Sequence, residues 1–249
     1  MGRSKVSAVV AVVGGSVLML AGCGGGSGDE GRPFAGESAD RIAAAAVKAT
    51  GQAASMHVTG TVRQTAGEAL DVDLSVDRRN NCEGTVKTSG TTVEVRHVGA
   101  TLYLRGDEGY WKSALKGQPR SDTLVPKLTD KWVKVPSDDS ATEGLCDKRG
   151  LVASMDEDKS ERTGLRKSST TTVDGKKAIR LTKRAAGGET LTLFVATEGK
   201  PYILRTTTSG GKSPNTATFS DYGKAVDPRR PAAGETVDLK DLASSGQAG

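Results

Sequence analysis

The segment Leu70-Asp71-Val72-Asp73-Leu74-Ser75-Val76-Asp77 decides the fold of this chain. Its aliphatic residues alternate with aspartate or serine, so one side of the segment is apolar and the other is polar. Because successive side chains of a β-strand point to opposite faces, this period of two predicts a strand with one face in a core and one in water. The Asp-x-Asp spacing resembles a calcium loop, but the loop glycine and the terminal glutamate are missing. We therefore predict a strand and no metal site.

Further strand patterns lie on both sides of this segment. Most are separated by turns that contain glycine or asparagine, and Asp174-Gly175 is a dipeptide typical of a tight hairpin. A short strand is predicted over 131–135, between two longer series. Besides the opening segment, the first series comprises 57–65, 84–88, 91–98 and 101–105, and the second comprises 166–173, 177–183, 189–197, 201–208 and 215–222. The two series predict ten strands for one sheet.

Short helices are predicted before the first series and between the two. Ser38 is a suitable N-cap residue, Asp40 complements the helix dipole, and small apolar residues follow at helical spacing. Tyr110-Trp111 lies in a loop or a short helix, and residues 145–155 form a weak helix that Gly150 interrupts. This order of elements predicts a single α+β domain. Its core is a strongly curved antiparallel sheet, or half-open β-barrel, covered by short helices.

The first 22 residues have the features of a secretory signal. Arg3 and Lys5 form a positively charged start, and an apolar run from Val6 to Leu20 follows. Fifteen helical residues span about 22 Å, which is shorter than the roughly 30 Å core of a bilayer. We therefore predict a signal peptide over 1–22 and not a membrane-spanning helix.

The junction Leu20-Ala21-Gly22-Cys23 resembles a bacterial lipobox. In this interpretation signal peptidase cuts before Cys23, whose sulfur carries diacylglycerol, and acyl chains such as palmitate hold the protein on the membrane. The alternative is an ordinary signal peptide with a cysteine nearby. The expected location is the extracytoplasmic face of the cell membrane. There a flexible tether over 23–36 precedes the folded domain over 37–225, and a polar C-terminal tail over 226–249 includes a short edge segment.

Removal of the signal peptide changes the charge and the cysteine count. Residues 1–22 contain two basic and no acidic residues, so the formal charge falls from +5 to +3. No block of lysine and arginine stands out, and nucleic-acid binding loses its support. With Cys23 acylated, Cys82 and Cys146 remain as a pair in an oxidising compartment, where a disulfide is favoured over two free thiols.

Signals for catalysis are weak in this sequence. The two histidines, His57 and His97, lie in strand patterns, where a histidine is more often structural than catalytic. The GxSxG and HExxH motifs are absent, and the two Ser-x-x-Lys matches are expected by chance. A hydrolase with a carboxylate pair that sequence does not reveal stays a third alternative. We predict a non-catalytic protein without a cofactor.

A set of short segments carries a resemblance to a known family. They are the opening helix with Val58-Thr59-Gly60, then Val93–Gly99, Thr101–Leu104, Gly109–Trp111, Lys131–Pro136, Val173–Lys176, Leu191–Thr197 and Gly199–Tyr202. Over roughly residues 38–225 this pattern resembles the LppX/LprA/LprF/LprG group of bacterial lipoproteins, whose fold is similar to that of the lipoprotein carrier LolA. The resemblance implies that acyl chains of lipids or glycolipids are held between a half-barrel sheet and its helices.

The signal peptide, the lipobox-like junction and the family resemblance together indicate a membrane-anchored lipoprotein that binds or carries lipid. Acyl chains gain about 0.8 kcal/mol for each methylene group removed from water, so a dry trough can extract lipid from a bilayer. The trough is expected along the apolar strand faces, formed by Leu70, Val72, Leu74, Val76, Val93, Val95, Leu102, Leu104, Leu191, Leu193 and Val195. The alternative is a protein-interaction or envelope-sensor module on the same fold, with an unknown protein partner.

Overall fold

Twelve strands within the described residues form one curved sheet. The computed structural model describes residues 34–63, 69–88, 90–136, 144, 146–157, 163–211, 214–239 and 242. The predicted signal peptide, Cys23 and most of the predicted tether lie outside these residues. Among the helices of the described ranges, none is long and apolar enough to cross a membrane.

Short helices precede and separate two groups of strands along the chain. The helices are α1 Ala39–Gln52, α2 Glu108–Ala114, α3 Ser121–Leu128 and α4 Lys148–Glu157. The strands are β1 Ser55–Arg63, β2 Ala69–Asp77, β3 Cys82–Thr88, β4 Thr91–Val98, β5 Thr101–Gly106, β6 Trp132–Pro136, β7 Arg166–Val173, β8 Lys176–Arg184, β9 Thr190–Ala196, β10 Ile203–Ser209, β11 Asn215–Ser220 and β12 Thr236–Asp238.

The order of strands across the sheet is β12-β6-β5-β4-β3-β2-β1-β11-β10-β9-β8-β7. The edge strand β12 lies parallel to β6. All other neighbouring strands in this order are antiparallel to each other. The first strand lies in the middle of the sheet, because β1 pairs with β2 on one side and with β11 on the other. The two series of strands in the sequence are therefore the two halves of one sheet.

Two glycines allow neighbouring strands to approach closely near the middle of the sheet. A Cβ atom on Gly60 would lie 2.0 Å from the carbonyl oxygen of Thr216 on β11. A Cβ atom on Gly84 would lie 2.0 Å from the carbonyl oxygen of Asp73 on β2, and the φ of Gly84 is +151°, which L side chains rarely adopt. Glycine is required at both positions, because the backbone of the neighbouring strand leaves no room for a side chain.

The helices cover one side of the sheet, which we call the helix-covered face. Ser38 caps α1, as the sequence predicts, because its hydroxyl oxygen accepts a hydrogen bond from the Arg41 N–H at 3.2 Å. The buried side of α1 consists of Ile42 and small residues that pack into the main core. Trp111 of α2 and Leu128 of α3 join the same core. The core therefore lies between the helices and the sheet.

The predicted α+β class and curved, open sheet are confirmed, with corrections to the details. The sheet has twelve described strands and not ten, because β6 and β12 also pair into it. The pairing of β12 places part of the predicted polar tail at a sheet edge. Tyr110-Trp111 lies in a helix, and α4 continues through Gly150 where an interruption was expected. The helix α3 was not predicted, and it contains Pro126.

Candidate functional site: the helix-covered face and its two ends

The residues predicted to line a ligand trough share the helix-covered face of the sheet. Most of them pack in one cluster with Ile42 of α1 and Trp111 of α2. Eight are buried, namely Leu74, Val76, Val93, Val95, Leu102, Leu104, Leu193 and Val195, and three are half-buried, namely Leu70, Val72 and Leu191. The structure therefore brings these residues together as one apolar layer beneath the helices. Whether this layer also holds a ligand stays a prediction.

Burial of this face changes from one end of the sheet to the other. We call the end where β2, β9 and β11 begin the open end, and the end where β1 and β10 begin the capped end. Along β2, Leu70 and Val72 near the open end are half-buried, whereas Val76 near the capped end is 0% exposed. Along β9, Leu191 near the open end is half-buried and Val195 near the capped end is 0% exposed. The apolar layer is complete at the capped end and partly exposed at the open end.

A buried lysine holds the last turn of α1 at the capped end. Lys148 is 0% exposed, and its Nζ donates hydrogen bonds to the carbonyl oxygens of Thr50 at 3.1 Å and Gly51 at 3.0 Å. These carbonyls belong to the end of the helix, where cations are favoured by the helix dipole. Burial lowers the pKa of Lys148, and the charges of Arg78 and Arg149 lower it further.

A half-buried tyrosine completes the packing at the capped end. The hydroxyl of Tyr222 donates a hydrogen bond to the carbonyl oxygen of Ile203, whose own N–H donates to Thr50 Oγ1 at 3.1 Å. The rings of Tyr222 and Tyr202 stack with their centroids 4.0 Å apart. Burial raises the pKa of the Tyr222 hydroxyl well above its ordinary value.

Cys82 and Cys146 form a disulfide, with their Cα atoms 5.6 Å apart. Both cysteines are buried. The bond joins the start of β3 to the segment before α4 and closes a stretch with a sequence separation of 64 residues. The pairing favoured by the cysteine count is therefore present in the structure, and it lies at the capped end.

A serine, a histidine and an aspartate come together on the outer face of the sheet. Nε2 of His57 lies 2.7 Å from Asp73 Oδ1, and the Ser220 hydroxyl oxygen lies 3.4 Å from His57 Nδ1. These residue types form hydrolytic triads, but a triad also needs a cleft and hydrogen-bond donors for an oxyanion. Here the neighbouring backbone groups pair across β11, β1 and β2, and the Asp73 side chain is 63% exposed. Cross-strand pairing explains the cluster, and we assign it no catalytic role.

The other histidine also makes a structural contact. Nδ1 of His97 donates a hydrogen bond to the carbonyl oxygen of Asn80 in the turn between β2 and β3. In the described ranges, no group of three or more His, Cys, Asp or Glu side chains is placed to hold a metal ion.

Two of the cavities bounded by described residues contain charged groups, and neither of these two is lined by the predicted trough residues. The smaller, of about 390 Å³, contains both acidic and basic groups, namely Glu94, Arg105, Asp107 and Asp130. The larger, of about 500 Å³, lies at the capped end, and we call it the basic cavity. Its charged lining residues are Asp77, Arg78, Arg79, Arg149 and Lys224.

A solved structure shares this arrangement of sheet and helices. LprF from Mycobacterium bovis is 16% identical in sequence, with a TM-score of 0.54 over 78% of this chain and 97% of LprF. The chain has the fold of LprF. The lipoprotein LppX of Mycobacterium tuberculosis is 15% identical, with a TM-score of 0.49 over 77% of this chain and 100% of LppX. A LolA superfamily protein from Nitrosomonas europaea is 9% identical, with a TM-score of 0.25 over 77% and 96% of the two chains.

The predicted resemblance to the LppX/LprA/LprF/LprG group is thus confirmed at the level of the fold. The chain matches no protein-family model and no curated protein.

The basic cavity and the buried Lys148 were not predicted from the sequence. Their charged residues come from the β2–β3 turn, from α4 and from the segment after β11. The isolated pair Arg78-Arg79 was visible in the sequence, but its neighbours in space are far away along the chain. No local pattern indicates that they meet.

Proposed function

We propose that this chain is a membrane-anchored, extracytoplasmic lipoprotein that binds acyl chains of a lipid or glycolipid between its sheet and its helices. In this proposal the protein is a carrier or binding module and performs no catalysis. The observation that carries it is the change in burial along the helix-covered face, from the half-buried Leu70, Val72 and Leu191 to the fully buried residues behind them. An acyl chain that enters at the open end would continue this apolar layer.

The packing of α1 suits such an entry. Apart from Ile42 and Val47, the apolar residues of its buried side are Ala39, Ala43 and Ala46, so much of the helix covers the sheet with small side chains. Displacing a helix that buries alanines exposes less apolar area than displacing one that buries leucines. If five methylene groups of an acyl chain packed on the sheet in place of the helix, their removal from water would contribute about 4 kcal/mol to the free energy of binding.

The two ends of α1 are held differently. At the capped end, Lys148 and Ile203 bond to its last turn. Near the open end, Asp40 accepts hydrogen bonds from the N–H groups of Gly164 and Leu165 at 3.2 and 3.0 Å. Because the bond from Gly164 is exposed and the bond from Leu165 is only partly buried, both can exchange with water at a lower cost than the buried bonds at the other end. We expect α1 to tilt away from the sheet at its first turns while its last turn stays in place.

Native mass spectrometry of the chain from residue 24 onward tests the proposal. We expect co-purified lipid masses after gentle isolation from a bacterial host. In the matched pair of variants, Val72→Asp/Leu191→Asp should lose most of this lipid, whereas Thr171→Asp/Thr172→Asp on exposed positions of β7 should keep it. A mass without lipid for the unchanged chain would contradict the proposal.

The anchor is a separate part of the proposal. The lipobox-like Leu20-Ala21-Gly22-Cys23 supports acylation of Cys23. A Cys23→Ala variant should lose metabolic labelling by a palmitate analogue, whereas Cys82→Ala/Cys146→Ala should keep it. Equal labelling and membrane retention of Cys23→Ala would contradict the anchor.

A protein-interaction module is the second candidate function. The edge strand β7 pairs only with β8 in the described sheet, and its residues from Ser169 to Thr172 are exposed. An exposed edge can accept a strand from another protein. A lipid-free mass together with stable capture of an extended peptide by β7 would favour this function over lipid binding.

A further inference from the structure

The basic cavity lies at the opposite end of the sheet from the half-buried apolar residues. Its frame is formed by the start of β1, the end of β2 and the segment after β11. Backbone hydrogen bonds fix this frame, since the Arg78 N–H donates to the Ala54 carbonyl at 3.1 Å and the Gly223 N–H donates to the Ser55 carbonyl at 3.1 Å. The cavity of about 500 Å³ is within the size range of small-molecule sites.

The charges that line this cavity are unbalanced. Asp77 is its one acidic lining residue, and its carboxylate is already occupied by the N–H groups of Arg79 and Asn81 at 2.7 and 3.0 Å. Lys224 is also neutralised, because its Nζ lies 2.8 Å from Asp221 Oδ1. Four basic residues therefore face one carboxylate that is committed to its own turn.

Two guanidinium groups are left without a counter-charge. In the described part of the chain, neither Arg78 nor Arg149 forms an ion pair. Both act on the buried Lys148, whose pKa they lower in addition to the effect of burial. Lys148 itself bonds to carbonyl oxygens and to no carboxylate among the described residues. The cavity therefore carries two exposed guanidinium groups, those of Arg78 and Arg149, that pair with no carboxylate among the described residues.

We propose that the basic cavity binds a phosphate monoester or inorganic phosphate, held by Arg78 and Arg149. A guanidinium group presents a planar set of donors that matches two oxygens of a phosphate, so two free arginines at one cavity suit a doubly charged phosphate better than a single carboxylate. Arg79 and Lys224 are paired with Asp77 and Asp221, and they are not needed for contact with the phosphate.

This site does not depend on lipid binding at the helix-covered face. None of the residues that line the basic cavity belongs to the set predicted for the trough. The two sites can therefore fail separately. Loss of phosphate binding would leave the lipid masses unchanged, and a lipid-free chain would still bind phosphate.

Calorimetric titration of the full chain in an uncharged detergent, with inorganic phosphate and with glycerol 3-phosphate at constant low ionic strength, tests the proposal. The site variant is Arg78→Gln/Arg149→Gln, and the control is Arg166→Gln/Arg180→Gln, which removes the same charge from exposed positions on β7 and β8. We expect binding about tenfold weaker for the site variant, because two charge-assisted contacts are removed, and a change below about twofold for the control.

The two probes distinguish the sources of the phosphate. Tighter binding of glycerol 3-phosphate than of inorganic phosphate would support the site and assign it to a lipid headgroup. Equal or weaker binding of glycerol 3-phosphate would support the site and assign it to free phosphate. Equal losses in the site variant and the control, or no binding of either probe by the unchanged chain, would overturn the proposal.

Discussion

The two ends of the sheet differ in how completely the apolar face beneath the helices is covered. At the capped end, Lys148, Tyr222 and the Cys82–Cys146 disulfide close the gap between α1, α4 and the strands. At the open end, the same face continues into Leu70 and Leu191, which are only half-buried. The difference teaches that a sheet covered by short helices need not be sealed along its whole length. The capped end is the more completely packed, and the open end leaves part of its apolar surface exposed.

Removal of the disulfide should have the largest effect on stability. A cross-link that closes 64 residues restricts the unfolded chain, and the chain-entropy model assigns it about 4 kcal/mol. We expect urea unfolding of Cys82→Ser/Cys146→Ser to show a free energy of unfolding lower by about that amount than the oxidised chain. A loss below about 1 kcal/mol would mean that the capped end does not depend on its cross-link.

A pair of matched substitutions in β2 compares the two ends directly. Val76→Ala removes two methyl groups from a site that is 0% exposed, and we expect a loss of about 2 kcal/mol in the free energy of unfolding. Val72→Ala makes the same change at a half-buried site, where we expect less than about 1 kcal/mol. Equal losses in urea unfolding would show that the two ends are equally well packed.

We expect the half-buried Tyr222 to make the stability of the capped end depend on alkaline pH. Because its pKa is raised from 10.0, the unfolded chain loses this proton above pH 10 while the folded chain keeps it. Its contribution to stability is therefore complete below pH 10 and is lost as the pH rises further.

The variant Tyr222→Phe isolates this contribution. We expect it to cost about 1 kcal/mol near neutral pH, from the lost hydrogen bond to Ile203. Above pH 10 its stability should fall less steeply than that of the unchanged chain, by up to about 1.4 kcal/mol per pH unit. Parallel curves of unfolding free energy against pH would contradict a raised pKa for Tyr222.

Local patterns in the sequence were sufficient to predict the frame of the molecule. The alternation over 70–77 and the cap at Ser38 each depend on residues that are close along the chain. The disulfide also followed from the count of cysteines. These features follow from the hydrophobic period, from the capping residue and from the oxidising compartment that a secretory signal implies, and all three can be read from a single sequence.

The features that were missed depend on distant contacts or on weak local signals. A short edge segment was predicted in the C-terminal tail but its partner was not, because β12 is three residues long and pairs with β6 more than a hundred positions earlier. Nothing in the sequence distinguishes Lys148 from a surface lysine, whereas the structure places it beneath the last turn of α1. The helix α3 contains Pro126, which disfavours a helix, and tertiary packing of Leu128 outweighs that preference.

Photo-crosslinking with a fatty acid that carries a diazirine near the end of its acyl chain tests the central claim most directly. After irradiation with the chain from residue 24 onward, peptide mapping should find adducts on β2 and β9 at the open end, in the peptides that contain Leu70, Val72 and Leu191. Adducts confined to the outer face, for example beside the partly buried Phe194, or no adducts at all, would contradict acyl binding between the sheet and its helices.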